Sequence, residues 1–309
     1  MLDAFYGEYR ESSRDMHVFQ CGGFVKITGR SALITGAGRG IGAALALRFA
    51  AEKPRGIVVS DIDLDAVRTV AGQVADHGVR AIALRADVAE VDQVTELVRV
   101  AQQEFGSLDV VCSNAGIATG TSLYARKESW ARAWDVNVMG HVHLAQAVLP
   151  GMAIRRDGYL LITASAVGLL GLPGDAPYSV TKHAAVGLAE WLAFTYLPRG
   201  VRVSALCPLG VRTDLLMQGV DAGHPSAQAV LAAGPVLEPV DVAEAVVAGL
   251  DSERFLILPH PEVARSTVAK ATDPDAWIRA TAGRRLPMNG ADRESGGAHR
   301  AVSRHGVPT

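Results

Sequence analysis

The 309-residue sequence is poor in cysteine: Cys21, Cys112 and Cys207 are its only three, and they lie far apart. An odd count without close spacing fits neither a disulfide framework nor a zinc site, and it predicts a reducing, cytoplasmic setting. An excess of one charge is missing as well, with 30 Lys+Arg against 32 Asp+Glu and a net charge of −2. A nucleic-acid binder needs a basic surface to neutralise phosphates, so no nucleic-acid partner is expected. The opening nineteen residues lack a basic stretch followed by an apolar run, the layout of a secretory signal. The uncharged stretch Gly158–Gly174 is 17 residues long and contains several glycines and Pro173. A membrane-crossing helix needs about 20 apolar residues, so this stretch reads as a buried strand and a loop, with no membrane span. No repeat of fixed period is present. His141 and His143 are two apart and do not share a helical face, so they read as packing or surface residues and no metal site is expected.

What is present is apolar: 49% of residues are hydrophobic, too many for a disordered chain. Short apolar runs at Ser31–Thr35, Gly56–Ser60, Val79–Leu84, Leu108–Ser113, Tyr159–Thr163, Val201–Leu206 and Phe255–Leu258 read as strands. Helical patterns follow at Ile41–Ala51, Asp63–His77, Val88–Phe105, Ser129–Met152, Tyr178–Leu197 and Val240–Leu250. Buried runs without polar alternation, separated by helices, indicate parallel strands covered on both faces. This is the doubly wound α/β layout. Residues 1–27 lack a period and are read as an N-terminal extension. Residues 28–260 form one domain, which carries every motif. Residues 261–309 form a C-terminal extension, expected to be disordered from about 286. Its tip, from 283, carries five arginines against one Asp and one Glu. That tip reads as a solvated tail, with contact to RNA or lipid as the alternative.

The segment Thr35-Gly36-Ala37-Gly38-Arg39-Gly40-Ile41-Gly42 lies between the first strand and the first helix. Glycines there let the backbone turn tightly and approach a pyrophosphate, while the helix N-terminus offers free N–H groups and a positive dipole end. No Gly-Lys-Ser/Thr follows, which excludes a triphosphate P-loop. Asp61 ends the second strand, 19 residues after Gly42. A carboxylate at that point accepts hydrogen bonds from the adenosine ribose hydroxyls and repels a 2′-phosphate, favouring NAD over NADP. Arg39 argues the other way, because an arginine in this loop can pair with a 2′-phosphate.

The pattern Thr-Gly-x-x-x-Gly-x-Gly at Thr35, Gly36, Gly40 and Gly42 resembles the short-chain dehydrogenase/reductase family, in its non-extended subfamily. Downstream motifs fall in the family's order. Asp87-Val88 resembles its adenine-contacting Asp, and Asn114-Ala115-Gly116 its cofactor-flanking Asn-Ala-Gly. Asn137 matches its catalytic Asn, and Ser165, Tyr178 and Lys182 match its Ser, Tyr-x-x-x-Lys set. Pro208, Val211 and Thr213 match the Pro-Gly-x-Val-x-Thr turn that wraps the nicotinamide, except that Leu209 stands at the Gly position. Ala164 precedes Ser165 where a second Ser is common. The extended epimerase subfamily is set aside, because its loop needs Gly where Arg39 stands. The resemblance covers roughly residues 28–260. It implies a single Rossmann-type domain with a mostly parallel seven-stranded sheet, a bound NAD, and hydride transfer between a secondary alcohol and a ketone. It further implies cofactor contacts from Gly36, Arg39, Gly40, Ile41, Gly42, Asp61, Asp87, Val88, Asn114, Ala115, Gly116, Pro208, Val211 and Thr213, with Tyr178 and Lys182 serving both cofactor and catalysis.

Tyr178 and Lys182 are four apart, on one helical face. An adjacent ammonium lowers a tyrosine's pKa and makes it a workable acid/base. Ser165 is expected to hold the substrate oxygen. By resemblance, Lys182 binds the nicotinamide ribose and Asn137 fixes a proton-relaying water. The resemblance also implies a mobile lid at residues 213–237 and a dimer or tetramer built on the helices carrying Asn137 and Tyr178. Leu215, Leu216 and Met217 begin the lid, and Val167, Leu169 and Leu172 follow Ser165; these residues either line an apolar substrate cavity or simply pack. No Arg or Lys lies between Asp214 and Leu237 to hold a substrate anion, so an apolar ketone or alcohol is favoured. Trp277 and Ile278 are expected to anchor a C-terminal helix. Two other readings stay open: an NADP-dependent carbonyl or oxoacyl-thioester reductase, and a non-catalytic NAD-binding sensor or scaffold.

Overall fold

A computed structural model describes residues 26–283. The expected disorder beyond about 286, most of the N-terminal extension, and Cys21 lie outside the described residues. The first part of the chain alternates strand and helix: β1 (Ser31–Thr35), α1 (Gly40–Ala51), β2 (Gly56–Asp61), α2 (Leu64–Asp76), β3 (Ala81–Arg85), α3 (Val91–Phe105) and β4 (Val110–Ser113). Next come α4 (Lys127–Trp134), a π-helical turn (Asp135–Met139), α5 (Gly140–Arg155), β5 (Gly158–Thr163), the short α6 (Val167–Leu170), α7 (Ala176–Tyr196) and β6 (Val201–Leu206). The remainder is β7 (Gly210–Val211), α8 (Asp214–Asp221), α9 (Pro225–Ala233), β8 (Val236–Leu237), α10 (Pro239–Asp251), β9 (Leu256–Ile257), α11 (Pro261–Thr272) and α12 (Pro274–Ala282).

Seven strands form one sheet in the order β3-β2-β1-β4-β5-β6-β9, every pairing parallel. β7 and β8 make a separate parallel pair. Both faces of the sheet are covered because neighbouring residues of one strand point to opposite sides. Leu33 and Val58 join the core under α3, α5 and α7, whereas Ile34, Ile57 and Val59 join the core under α1, α2 and α10. β2 and β4 are accordingly runs of buried apolar residues, Ile57–Val59 and Val110–Cys112, rather than alternating ones. The strand order reverses between β1 and β4, so their carboxyl ends splay apart and open a crevice there.

Two sequence readings change. The helix expected over Ser129–Met152 divides into α4, the π turn and α5, and Asn137 sits inside the π turn. Its side chain pairs both ways with the Ile117 backbone, accepting from Ile117 N at 2.8 Å and donating to Ile117 O at 2.9 Å. A helical period cannot register this link across 20 residues. The loop expected after β5 contains α6. Among the described residues no helix is long and apolar enough to cross a membrane.

Candidate active site

The crevice at the strand reversal holds a cavity of about 490 Å³. Gly36, Arg39, Gly40 and Ile41 line it from the β1–α1 loop, and Asp61, Asp87 and Val88 from the ends of β2 and β3. Asn114, Ala115 and Gly116 follow β4, Ser165 follows β5, Tyr178 and Lys182 come from α7, and Pro208, Val211 and Thr213 follow β6. The expected site residues thus converge, with two exceptions. Gly42 is buried beneath the loop, and a Cβ there would stand 2.2 Å from the Gly36 carbonyl, so its smallness serves helix–strand packing. Asn137 is fully buried behind Gly116: a Cβ on Gly116 would lie 3.3 Å from its Oδ1 and 3.2 Å from Lys182 Nζ.

The Gly-rich loop has the form an anion cradle needs. Gly36 has φ +62°, and a Cβ there would come within 2.7 Å of Ala115 Cα. Arg39 begins α1 without a side-chain cap, and no acidic residue occupies the first turn. The first N–H groups of the helix therefore have no local carboxylate competing for them. Asn114 ties the strand ends together, donating to the Thr35 and Gly36 carbonyls at 3.1 and 3.2 Å and accepting from Thr163 Oγ1 at 3.0 Å.

Asp61 reaches over this loop. Its Oδ2 accepts from Gly38 N at 3.1 Å and its Oδ1 from Asp63 N at 3.2 Å. Arg39 turns elsewhere and bridges Asp63 at 3.5 Å and Asp214 at 3.4 Å. Asp87 pairs with Arg132 at 3.0 Å.

Tyr178 and Lys182 depart from one expectation. Lys182 is buried and donates to the Thr163 carbonyl at 2.9 Å, with its Nζ 5.6 Å from the Tyr178 ring centre. Burial pulls its pKa down to about 8. Burial also pushes the Tyr178 phenol up to about 12; a hydrogen bond with Ser165 opposes that rise, and the Asp175 charge adds to it. The expected lowering of the phenol's pKa by Lys182 is absent. The ammonium is engaged by a carbonyl, and the same desolvation that disfavours a phenolate disfavours an ammonium.

Sequence reasoning missed several residues here. Asp175 is buried and caps α7, accepting from Tyr178 N at 3.0 Å. It also accepts from Thr119 N, Thr119 Oγ1 and Gly120 N at 2.8, 2.7 and 2.6 Å, tying the loop after β4 to the helix bearing Tyr178. The signal was available: Asp175 two residues before Pro177 is an N-cap pattern. His224 and Gln218 line the cavity from the segment expected to be a lid, which folds as α8 and α9. Leu215 and Leu216 line it too, but Met217 does not. Val167 and Leu172 face the cavity, whereas Leu169 packs toward α11 and α12. Trp277 joins that cluster and donates to the Leu170 carbonyl at 3.1 Å; Ile278 is 63% exposed and anchors nothing. His141 is buried with Nδ1 2.6 Å from Ser113 Oγ, and burial pulls its pKa down to about 3. His143 Nδ1 lies 3.1 Å from the Val88 carbonyl. Cys112 and Cys207 are buried and their thiols are pushed up, as expected of small core residues.

The short chain dehydrogenase family model matches residues 30–222. A 3-oxoacyl-acyl-carrier-protein reductase of Staphylococcus epidermidis is 36% identical over 187 residues, 60% of this chain and 77% of that protein. The oxidoreductase UcpA of Salmonella typhimurium is 36% identical over 62% of this chain and 72% of its own length. A short-chain dehydrogenase/reductase from Burkholderia phymatum, solved in complex with NAD, superposes with a TM-score of 0.75 at 29% identity, covering 81% of this chain and 96% of that one. With the parallel sheet, the glycine cradle and the family's motifs converging on one crevice, this protein belongs to the short-chain dehydrogenase/reductase family of NAD(P)-binding oxidoreductases.

Proposed function

We propose that this protein is an NAD-dependent oxidoreductase that interconverts an apolar secondary alcohol and its ketone, with Tyr178 as the acid/base. The observation that carries the reading is that Ser165, Tyr178 and Lys182 open on the same cavity as the glycine loop and Asp61. The glycine loop and the start of α1 would hold the pyrophosphate through backbone N–H groups. When bound, the nicotinamide supplies the hydride acceptor or donor. The chain supplies orientation and the proton. Ser165 opposes the rise that burial imposes on the Tyr178 phenol and stands where it would also hold the substrate oxygen. Lys182 and Asn137 flank Gly116, where they would hold the nicotinamide ribose and a relay water.

NAD is favoured over NADP for two reasons. Asp61 puts a carboxylate beside the loop. Arg39, the residue that would welcome a 2′-phosphate, is already shared by Asp63 and Asp214. The apolar substrate follows from Val167, Leu172, Leu215, Leu216 and Val230 around the cavity. An oxoacyl-thioester reductase is the second reading, supported by the Staphylococcus relative's name. A panel of secondary alcohols and ketones with NAD and NADP, followed by reduced-cofactor absorbance, tests the proposal. Turnover of apolar alcohols with NAD is expected; turnover confined to NADPH and acyl thioesters would replace it with the second reading.

A further inference from the structure

Leu209 stands where the family's turn has Gly, and the fold gives that departure a consequence. The main cavity does not end in solid protein beyond Ser165. On the other side of Leu172 and Leu209 lies a second, smaller cavity of about 50 Å³, and these two leucines line both. Leu172 comes from the loop after α6 and Leu209 from the turn after β6, so side chains from two separate loops face both cavities. Trp277, Val263 and Glu262 of the C-terminal helices close the far side.

The wall is held firmly. His260 is buried, and its ring clamps the turn: Leu209 N donates to Nδ1 at 3.2 Å, and Nε2 lies 3.1 Å from the Gly210 carbonyl. Nδ1 must be the acceptor, so Nε2 carries the proton and donates to Gly210. On the other leucine's side, Lys270 Nζ donates to the Leu169 carbonyl at 2.6 Å and Trp277 Nε1 to the Leu170 carbonyl at 3.1 Å. These are last-turn carbonyls of α6, which its own backbone leaves free. The C-terminal helices therefore fix both loops that carry the wall, and they lie beyond the stretch matched by the family model.

We propose that Leu209, with Leu172, is a partition that sets the length of substrate the cavity accepts, and that the space behind it is an extension of the substrate site shut off by these two side chains. The inference rests on the apolar-substrate reading above. In the intact protein the substrate's tail ends against the two leucines. Trimming either side chain joins the cavities and admits a longer tail. The extension is not wholly apolar: Glu262 Oε1 is buried there without a hydrogen-bond partner among the described residues. A tail ending in a hydroxyl would therefore be preferred over one ending in methyl once the wall is open.

The test uses the full chain, wild type against L209A, with 2-alkanols of increasing length and NAD. Wild type should show a length beyond which kcat/KM stops rising. L209A should move that limit outward by at least two carbons, each newly buried methylene raising kcat/KM about fourfold. L172A opens the same wall from the opposite side and should do likewise, which guards against a folding defect in one variant. An unchanged length limit in both folded variants overturns the partition. Xenon-pressurised crystals of wild type and L209A separate this from failure of the substrate reading. If wild type turns over no 2-alkanol, that reading fails, and the xenon result decides the partition by itself. Xenon density running from the main cavity into the space beside Trp277 only in L209A supports it, and identical xenon sites in both overturn it.

Discussion

Replacing Lys182 by Met tests the electrostatics of the buried site through stability. Lys182 is 3% exposed, its ammonium is held by the Thr163 carbonyl, and burial pulls its pKa from 10.5 to about 8. Below pH 8 both folded and unfolded chains carry the proton, and the folded state bears a constant penalty. Between pH 8 and 10.5 the unfolded chain still holds a proton that the folded chain has released. Stability then rises with pH, because the unfolded state binds more protons. Above 10.5 both forms are neutral and the penalty is gone. Each tenfold change in proton affinity is worth about 1.4 kcal/mol, so this penalty is about 3 kcal/mol. Lys182→Met removes it at every pH. The unfolding free energy of the variant minus that of wild type should be most positive at pH 7 and should fall by about 3 kcal/mol by pH 10.5. Urea unfolding followed by tryptophan fluorescence, on the full chain without cofactor, measures the difference, and titrations common to both proteins cancel. A difference that stays flat from pH 7 to 10.5 would refute burial as the cause of the shift.

Three further outcomes are expected. Tyr178→Phe should lower kcat/KM by about 10²- to 10⁴-fold, the usual worth of a positioned acid/base, while NAD affinity by fluorescence titration stays near wild type; retained turnover would remove Tyr178 from the chemistry. Asp61→Ala should lower the NAD-over-NADP ratio of kcat/KM by about 10- to 100-fold, the worth of hydrogen bonds to a charged group, and an unchanged ratio would exclude the ribose contact. Asp175→Ala should cost about 2–4 kcal/mol in urea unfolding, since it strands the partly buried Thr119, Gly120 and Tyr178 N–H groups. A loss under about 0.5 kcal/mol, the scale of an ordinary surface substitution, would show that water replaces the carboxylate.

The strands were legible because a buried parallel strand writes itself as a short β-branched or aliphatic run. β1 and β6 occupy the residues that the runs indicate, the other five strands of the large sheet differ by one or two residues at the ends, and the two-residue β7 and β8 have no run of their own. Most residues lining the crevice were legible too, since Gly36, Asn114, Ser165, Tyr178 and Lys182 stand at or shortly after the strand ends or on the helix that follows. The break in the Asn137 helix was not. It accompanies side-chain bonds to Ile117 and to Thr181 Oγ1, partners 20 and 44 residues away. Asp175 was readable as a helix cap, but not as the link to Thr119 and Gly120, because that link depends on how β4 and α7 are brought together.

The sequence by itself determined the strand–helix alternation, the glycine cradle after β1 and the chemistry of the groups available to the site. These depend on local geometry: a period of burial, a turn that only glycine permits, a spacing of four on one helical face. Only the tertiary structure decided what those groups face. It turned Arg39 to Asp63 and Asp214, gave Lys182 to a carbonyl, and raised the Tyr178 phenol instead of lowering it. It also made Leu209 a wall between two cavities. Desolvation, charge pairing and enclosed space are set by neighbours distant in the chain, and no local pattern encodes them.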